Sequence, residues 1–491
     1  MPALHVGRAC GPALPGRRAR RVGAAVDAVH EPALPAGHPE AAVTYAEALA
    51  ALQARGRFGI RMGLGRTRAM LRALGDPQQS VRGALIAGTN GKGSVLALAG
   101  SALRAAGYRV GETPKPHLVT YRERLQVGGL PVDAATFAHL VARVLPVADR
   151  VARRFGDPTE FELLTAAIFL WFAEEHVELA LVEVGLGGRL DATHAWDGGV
   201  AAITNVDLDH MDRLGPTIPL IAREKAAIIE RGDIAVTGAT GEALEVIRRR
   251  ARRVGAPLAV VSPAPLVRLD RNGIRVELPG LGPTDVGLRG RHQAANVAVA
   301  DAVLDALDRA GFARVPPDAR RQGYRDARWP GRLELVDLPD GNQVLLDGAH
   351  NPAGAATLSQ AIDDLRPFLR GASAGDATRV TVVTAMMADK DVAGTVTAMS
   401  SATALAGAHV IATQVAGPRA MAAEALAAAW ERDDPRLRVT AEPDVDRAMD
   451  AALAEARGPI VVAGSLYLVG HIRARLVDDP VLRDPVPESV P

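Results

Sequence analysis

The apolar run Leu85-Ile86-Ala87 enters a glycine-rich turn, Gly88-Thr89-Asn90-Gly91-Lys92-Gly93-Ser94, and an Ala/Leu-rich helix follows. A strand, a tight turn and a helix in that order point to an α/β layer architecture, with the turn beyond the carboxyl end of a strand. Glycines let backbone N–H groups crowd around phosphate oxygens, and the helix N-terminus adds positive potential. Lys92 can reach the outer phosphates and Ser94 can offer a hydroxyl to Mg²⁺. A nucleoside triphosphate is the first ligand to expect. The turn departs from the usual G-x-x-x-x-G-K-[ST] spacing. Two residues separate Gly88 from Gly91, and Gly93 stands between Lys92 and Ser94. An ordinary Gly-rich strand-to-helix turn is the alternative at this level.

The surrounding chain repeats the strand–helix theme. Strand-like runs at 84–88, 179–184, 200–205, 234–238 and 258–262 alternate with helical segments at 94–107, 134–155, 160–176, 218–230, 242–255 and 292–311. This alternation predicts a mostly parallel, helix-flanked sheet. A breaker cluster, Arg328-Trp329-Pro330-Gly331-Arg332, interrupts it. It restarts with runs at 343–347, 380–385, 409–413, 437–441 and 460–464 and a helix near 353–369. We place a boundary near residue 328, with a first domain over 43–328 and a smaller doubly wound one over 329–480. Residues 1–42, rich in Pro, Gly, Arg and Ala without a sustained period, read as a disordered extension or a partner-binding arm, and 481–491 as a tail.

Composition narrows the class. Hydrophobic residues fill 48% of 491 positions but aromatic ones only 3%, so the core must be aliphatic. Lys and Arg (57) balance Asp and Glu (56) at a net charge of +1, which argues against a general nucleic-acid-binding surface. Cys10 is the single cysteine, so an intrachain disulfide and a cysteine-rich zinc site are excluded. No apolar run reaches the ~18 residues of a spanning helix. The apolar stretch after Arg17, Arg18, Arg20 and Arg21 is too short and broken for a signal peptide. The expectation is a cytoplasmic protein that meets neither membrane nor nucleic acid.

Three polar loops follow strand-like runs: Glu183 to Thr193, Thr204 to Asp212, and Asp347 to Pro352. Ligands in open α/β sheets sit beyond the carboxyl ends of strands, so these loops and the phosphate turn converge on one crevice. Glu183 ends a buried run, and a carboxylate there must be paired or bound to a cation. Mg²⁺ beside a triphosphate is the natural partner, with a salt bridge to Arg189 as the alternative. His210 lies among Asp207, Asp209 and Asp212, where a surface or capping role is as natural as a metal ligand. Lys225, in Arg223-Glu224-Lys225-Ala226, reads by itself as part of a solvated helical charge pattern.

Ten ordered strings then carry a resemblance: GTNGKGS (88–94), PHL with RER (116–118, 122–124), FE.LT (161–165), EVGLGGRLDAT (183–193), ITN..LDHM (203–211), EKA.II (224–229), HQ..N (292–296), PGRLE (330–334), DGAHNP (347–352) and GSLYLVG (464–470). Over about residues 43–477 the chain closely resembles the folylpolyglutamate synthase/dihydrofolate synthase family of Mur-type amide ligases. The resemblance implies an N-terminal P-loop ATPase domain and a smaller C-terminal Rossmann-like α/β domain. It implies ATP-dependent ligation of L-glutamate to dihydropteroate or a reduced folate through an acyl phosphate, in a monomer, with ATP, Mg²⁺ and K⁺ as candidate cofactors. Thr89, Asn90, Gly91, Lys92, Gly93 and Ser94 would cradle the phosphates. Asn296 would meet adenine, Arg332 a phosphate and Asp347 the ribose. Ser94, Glu183 and His210 would hold Mg²⁺. Lys92, Lys225 (the lysine the family carbamylates) and His350 would be catalytic. Lys115, His117, Thr159, Glu160, Leu190, Asp191 and Ala192 would face the acceptor.

One string departs from the family. Where relatives commonly read TSPHL, this chain reads Pro114-Lys115-Pro116-His117-Leu118, and Lys115 replaces a serine that helps hold metal. Its ammonium either substitutes for part of one Mg²⁺ charge or points to solvent. Two other functions stay open on sequence alone: a Mur-type ligase of cell-wall peptide precursors, and a non-catalytic nucleotide sensor on the same fold.

Overall fold

The computed structural model describes residues 43–59, 61–339, 341–369, 379–456 and 458–485. The extension read over 1–42 and residues 486–491 of the tail lie outside them.

The first sheet grows from β1 (Gly83–Ala87), whose five residues are all buried. Successive side chains of a strand point to opposite faces. Leu85 and Ala87 accordingly enter one core and Ala84 and Ile86 the other. Helices Ala134–Phe155 and Glu160–Glu174 cover the first face. Helices Lys92–Ala105, Gln293–Arg309 and Pro317–Asp326 cover the second. Aromatic poverty is met by close approach: a Cβ on Gly323 would lie 2.3 Å from Ala102 Cα. Further strands are β2 (Val110–Thr113), β3 (Gln126–Val127), β4 (Leu130–Pro131), β5 (Leu179–Glu183), β6 (Gly199–Ile203), β7 (Ile234–Thr237) and β8 (Leu258–Val260). The order is β4-β3-β2-β5-β1-β6-β7-β8, parallel except at β2–β3 and β3–β4. The chain leaves β1, returns beyond β5 and later crosses to β6, so β1 lies at a switch point with a crevice at its carboxyl end.

A three-stranded antiparallel sheet follows: β9 (Leu266–Asp270), β10 (Gly273–Leu278) and β11 (Gly282–Val286). The parallel reading did not foresee it. Its signal is present nonetheless, since buried Ile274, Val276 and Leu278 alternate with more exposed Arg275 and Glu277. The third sheet comprises β12 (Glu334–Asp337), β13 (Gln343–Leu346), β14 (Thr381–Thr384), β15 (His409–Ala412), β16 (Arg438–Ala441) and β17 (Ile460–Ala463). Its order is β12-β13-β17-β14-β15-β16, parallel except for the β12–β13 hairpin. It is clothed on both faces, with Leu345 and Val461 in one core and Leu346 and Val462 in the other.

The helix expected over 218–230 stops at Ala226. Arg250 donates to Ala227 O and Ile229 O, taking up carbonyls that a continuing helix would use.

Candidate active site

β5 and β6 flank β1, and Ile86 pairs with Glu183 across the ladder. The turn after β1, Glu183 and the Thr204–Asn205 segment therefore emerge side by side. The turn is bolted to the β6 loop: Thr89 N donates to Asn205 O (3.1 Å), Asn90 N to Asn205 Oδ1 (2.8 Å), and Asp207 N to Thr89 Oγ1 (2.9 Å). These bonds commit the amides of Thr89 and Asn90 to protein. The amides of Lys92, Gly93 and Ser94 open the helix and have no preceding turn to accept them. Gly93 also explains the unusual spacing. A Cβ there would sit 2.5 Å from the indole of Trp329, which closes over the turn from the breaker cluster.

Lys92 folds back on its own turn, with Nζ 3.1 Å from both Gly88 O and Thr89 O and 3.9 Å from Glu183 Oε1. Lys225 Nζ reaches the same Gly88 carbonyl at 2.8 Å. Lys225 is buried, so the solvated reading of it fails. Burial first, then the nearby Lys92 charge, push its amine down to about 7. It sits behind the turn rather than on the cavity wall.

Glu183 is buried and its carboxyl is pushed up by desolvation, a push that Lys92 opposes. Its partners are Lys92 and Lys115. Arg189 binds Glu224 instead, which overturns the Arg189 alternative. Lys115 donates from its backbone N to Glu183 Oε2 (2.9 Å) and from Nζ to Glu183 O (2.6 Å), and its ammonium lies 4.7 Å from the centre of the Phe161 ring. The solvent-pointing reading of Lys115 therefore fails. Burial lowers its amine to about 8 despite Asp191 and Glu183 nearby.

The third sheet supplies the opposite wall of the crevice. Asp347 follows β13, and its two oxygens accept Leu333 N and Ala349 N, each at 2.9 Å. Burial pushes this carboxyl up. His350 donates from Nδ1 to Gly348 O (2.8 Å), leaving Nε2 as an acceptor, and burial lowers the ring to about 4. Asn351 reaches across to Asp209 Oδ2 at 3.2 Å, tying the two walls together. His210, half-exposed beside Asp209, has a left-handed backbone (φ 48°) that turns the loop back into the cleft. Asn296 donates to Gln293, which in turn donates to Ser94 Oγ (3.3 Å). Arg332 completes a cavity of about 380 Å³ that Lys92, Ser94, Lys115, Glu183, His210, Asn296, Asp347 and His350 all line.

A second cavity, about 350 Å³, is lined by Thr159, Glu160, Leu190, Asp191 and Ala192. Phe161 and Gly185 belong to both cavities, which therefore meet there. Two of the expected acceptor residues do local structural work. Thr159 caps helix Glu160–Glu174, and Asp191 accepts Leu186 N and Thr193 N. His117 lines neither cavity; its Nδ1 accepts Arg124 Nε at 2.9 Å, and burial followed by Arg124 lowers the ring to about 3. Sequence reasoning passed over Asp209, Gln293, Trp329 and Arg124. Asp209, Gln293 and Arg124 stood inside quoted strings. Trp329 gains meaning only when the chain folds over the turn.

The residues suit a magnesium triphosphate. Free helix amides, a lysine within reach of the turn and a strand-end carboxylate fit phosphates and one cation. Among the described residues no group of three or more His, Cys, Asp or Glu side chains is placed to hold a metal. Mg²⁺ is commonly held by one or two carboxylates plus substrate phosphates, so this sparse set fits it and does not fit a structural zinc.

Known proteins share this arrangement. The Mur ligase middle domain matches residues 86–304, and the Mur ligase glutamate ligase domain matches 331–466. Dihydrofolate synthase/folylpolyglutamate synthase of Bacillus subtilis is 34% identical over 443 residues, covering 88% of this chain and 99% of its own. The structure of Mycobacterium tuberculosis folylpolyglutamate synthase complexed with ADP and AMPPCP aligns at a TM-score of 0.76 and 33% identity, over 88% of this chain and 99% of that one. E. coli FolC in complex with DHPP and ADP aligns at 0.75 and 30%, over 89% and 99%. Two walls that close on a phosphate-type turn, joined to matches of this length, settle the family: the chain belongs to the folylpolyglutamate synthase/dihydrofolate synthase group of ATP-dependent Mur-type ligases.

Proposed function

We propose that this ligase joins L-glutamate to the carboxylate of a pterin-bearing acceptor, dihydropteroate or a reduced folate, with release of ADP and phosphate. One observation carries the reading. The cavity holding Lys92, Lys115, Glu183, Arg332 and Asp347 opens at Phe161 and Gly185 into a second cavity that an acceptor's aryl body can fill. The names of the relatives, and the nucleotides bound in their structures, support it.

A carboxylate is a poor electrophile. Transfer of the terminal phosphoryl group of ATP to it gives an acyl phosphate, and attack by the glutamate amine then expels phosphate and forms the amide. Lys92 would exchange its hold on Gly88 O and Thr89 O for the outer phosphates, and the amides of Lys92, Gly93 and Ser94 would meet the same oxygens. A bound Mg²⁺ would neutralise phosphate charge, with Ser94, Glu183 and His210 as the groups to hold it. Asn296 faces the adenine position in this reading, Arg332 a phosphate and Asp347 the ribose. His350 stays neutral, so its free Nε2 accepts a hydrogen bond from the incoming ammonium instead of repelling it. Trp329, laid over the turn, helps keep water from the acyl phosphate.

Residues 43–328 would act as the ATPase domain and 329–480 as the ligase domain, working as a cytoplasmic monomer. No described helix is long and apolar enough to cross a membrane.

The test is direct. Purified protein with ATP, Mg²⁺ and labelled glutamate should give labelled product with dihydropteroate, with tetrahydrofolate, or with both. Turnover only with a UDP-linked peptide precursor would replace this reading, and ATP binding without turnover on any acceptor would favour a sensor. Asp347→Ala should weaken binding of a non-hydrolysable ATP analogue about tenfold, the usual worth of one or two hydrogen bonds to a charged group. Calorimetric titration measures this, and acceptor affinity serves as the internal reference. An unchanged nucleotide dissociation constant would remove Asp347 from the ribose site.

A further inference from the structure

Gln293, the first residue of helix Gln293–Arg309, is buried in the wall of the cavity that Lys92 and Glu183 line, and it has no role in the ligase chemistry above. A buried amide is costly unless its polar atoms are paired, and this one is paired at both ends. Its Nε2 faces two acceptors, Ser94 Oγ at 3.3 Å and His292 Nε2 at 3.1 Å. Burial lowers the His292 ring to about 4, so the ring is neutral and offers one nitrogen as an acceptor. An amide nitrogen carries two protons, and these two acceptors use both. Oε1 is thereby turned to the other side, where it accepts Asn296 Nδ2 at 2.8 Å. The relay therefore has a direction. Asn296 must present an N–H to Gln293, and it keeps its second N–H and its carbonyl oxygen for other partners. No donor among the described residues reaches that oxygen. Gly91 leaves room for it, since a Cβ there would lie 2.3 Å from Asn296 Oδ1. Turning the Asn296 amide over would set its oxygen against Gln293 Oε1, two acceptors face to face.

We propose that Gln293 is a positioning residue that makes this site select adenine over guanine, by fixing which way round the Asn296 amide faces. The inference rests on the reading of Asn296 as the base contact and deepens it. On its N6/N7 edge adenine offers one donor and one acceptor, and a side-chain amide with a free oxygen and a free N–H matches both. Guanine offers two acceptors, O6 and N7, on the same edge. An amide free to rotate can turn an N–H toward either of them. A pinned amide leaves its oxygen against O6, an acceptor desolvated without a donor. Gln293 also holds Ser94 Oγ, so the base contact and the phosphate turn hang on one buried group.

The experiment is calorimetric titration of the full chain with AMPPNP and with GMPPNP, each with Mg²⁺ and without acceptor. The wild type should prefer the adenine analogue by about tenfold or more, the usual discrimination of a paired amide contact to a base. Gln293→Met has a similar length and cannot hydrogen-bond, and it should bring the ratio to within about threefold. Gln293→Glu still accepts Asn296 Nδ2, so it should keep the wild-type ratio even as both analogues bind more weakly beside the added charge. Asn296→Ala should lose the preference. A merely structural role for Gln293 would weaken both analogues equally in Gln293→Met and leave the ratio intact, and that result overturns the proposal. So does loss of the ratio in Gln293→Glu, or a wild type without preference. The Asn296→Ala arm separates the two levels. If it loses the preference while Gln293→Met keeps it, the base contact stands and the relay fails. If it keeps the preference, the base is held elsewhere and the proposal falls with that placement. No acceptor is present, so the outcome is independent of whether dihydropteroate or a reduced folate is the substrate.

Discussion

Lys225→Ala is expected to slow turnover about 10²–10³-fold, the usual cost of one preorganised charged group near a phosphoryl centre, while ATP still binds. Lys225 Nζ sits on Gly88 O at 2.8 Å, directly behind the phosphate turn, and not on the cavity wall that would hold the nucleotide. Burial and the Lys92 charge bring its amine down to about 7, so near neutrality much of it is unprotonated. Only an unprotonated amine can take up carbon dioxide, and the carbamate so formed reverses the local charge. Small carboxylates added to Lys225→Ala should restore part of the rate, and wild-type turnover in that variant would exclude a catalytic role. The same amine leaves a mark on stability. The unfolded chain holds this proton up to about 10.5 and the folded chain only to about 7. Between those values the unfolded state binds more protons, so stability rises with pH through the window. From about pH 7 to about pH 9 the gain is ~2 kcal/mol. Urea unfolding in carbon-dioxide-free buffer should show this rise in the wild type, and Lys225→Met should keep only the smaller rise that Lys115, lowered to about 8, contributes.

The scaffold was legible where apolar runs were unbroken. Leu179–Glu183 and Ile460–Ala463 stand out because both faces of those strands are buried and almost every residue is apolar. Val110–Thr113 was missed for the opposite reason. It carries Gly111 and Glu112, and the Glu112 carboxylate is buried only because Arg104 pairs with it. A burial bought by a distant partner leaves no periodic trace in the local sequence. The same limit governs the site. Glu183 was readable as a carboxylate needing a cation, since nothing else polar lies in its run. Lys225 was misread on its own spacing, because the carbonyl that holds it belongs to residue 88 and reaches it only through the sheet. Asn296 and Gln293 sit far along the chain from Ser94, yet one hydrogen-bond relay connects them. Pairings of this kind follow from topology, and only the ordered strings shared with a known family pointed to them in advance.

Lys115 gives the second large effect. Lys115→Met should cut turnover about 10²-fold, whereas Lys115→Ser should keep more activity but need about tenfold more Mg²⁺ for half-maximal rate. The ammonium lies 2.6 Å from Glu183 O and against the Phe161 ring, where the cavity of Lys92 and Glu183 meets that of Thr159 and Leu190. A triphosphate and an acceptor carboxylate brought together there crowd negative charge at the point of phosphoryl transfer. A fixed cation offsets part of that charge without the binding equilibrium of a metal ion. Methionine fills the space and removes the charge, so the full electrostatic loss appears. Serine offers a hydroxyl oxygen suited to Mg²⁺, so a metal ion can take the place of the ammonium at higher concentration. Burial has already lowered the Lys115 amine to about 8. A bound triphosphate beside the amine raises that value, so well above it the wild type should come to resemble the serine variant and require more Mg²⁺. The check is a set of Mg²⁺ titrations of initial rate at pH values on either side of 8 for the three proteins. If all three share one half-saturating Mg²⁺ concentration at every pH, Lys115 does not stand in for metal charge.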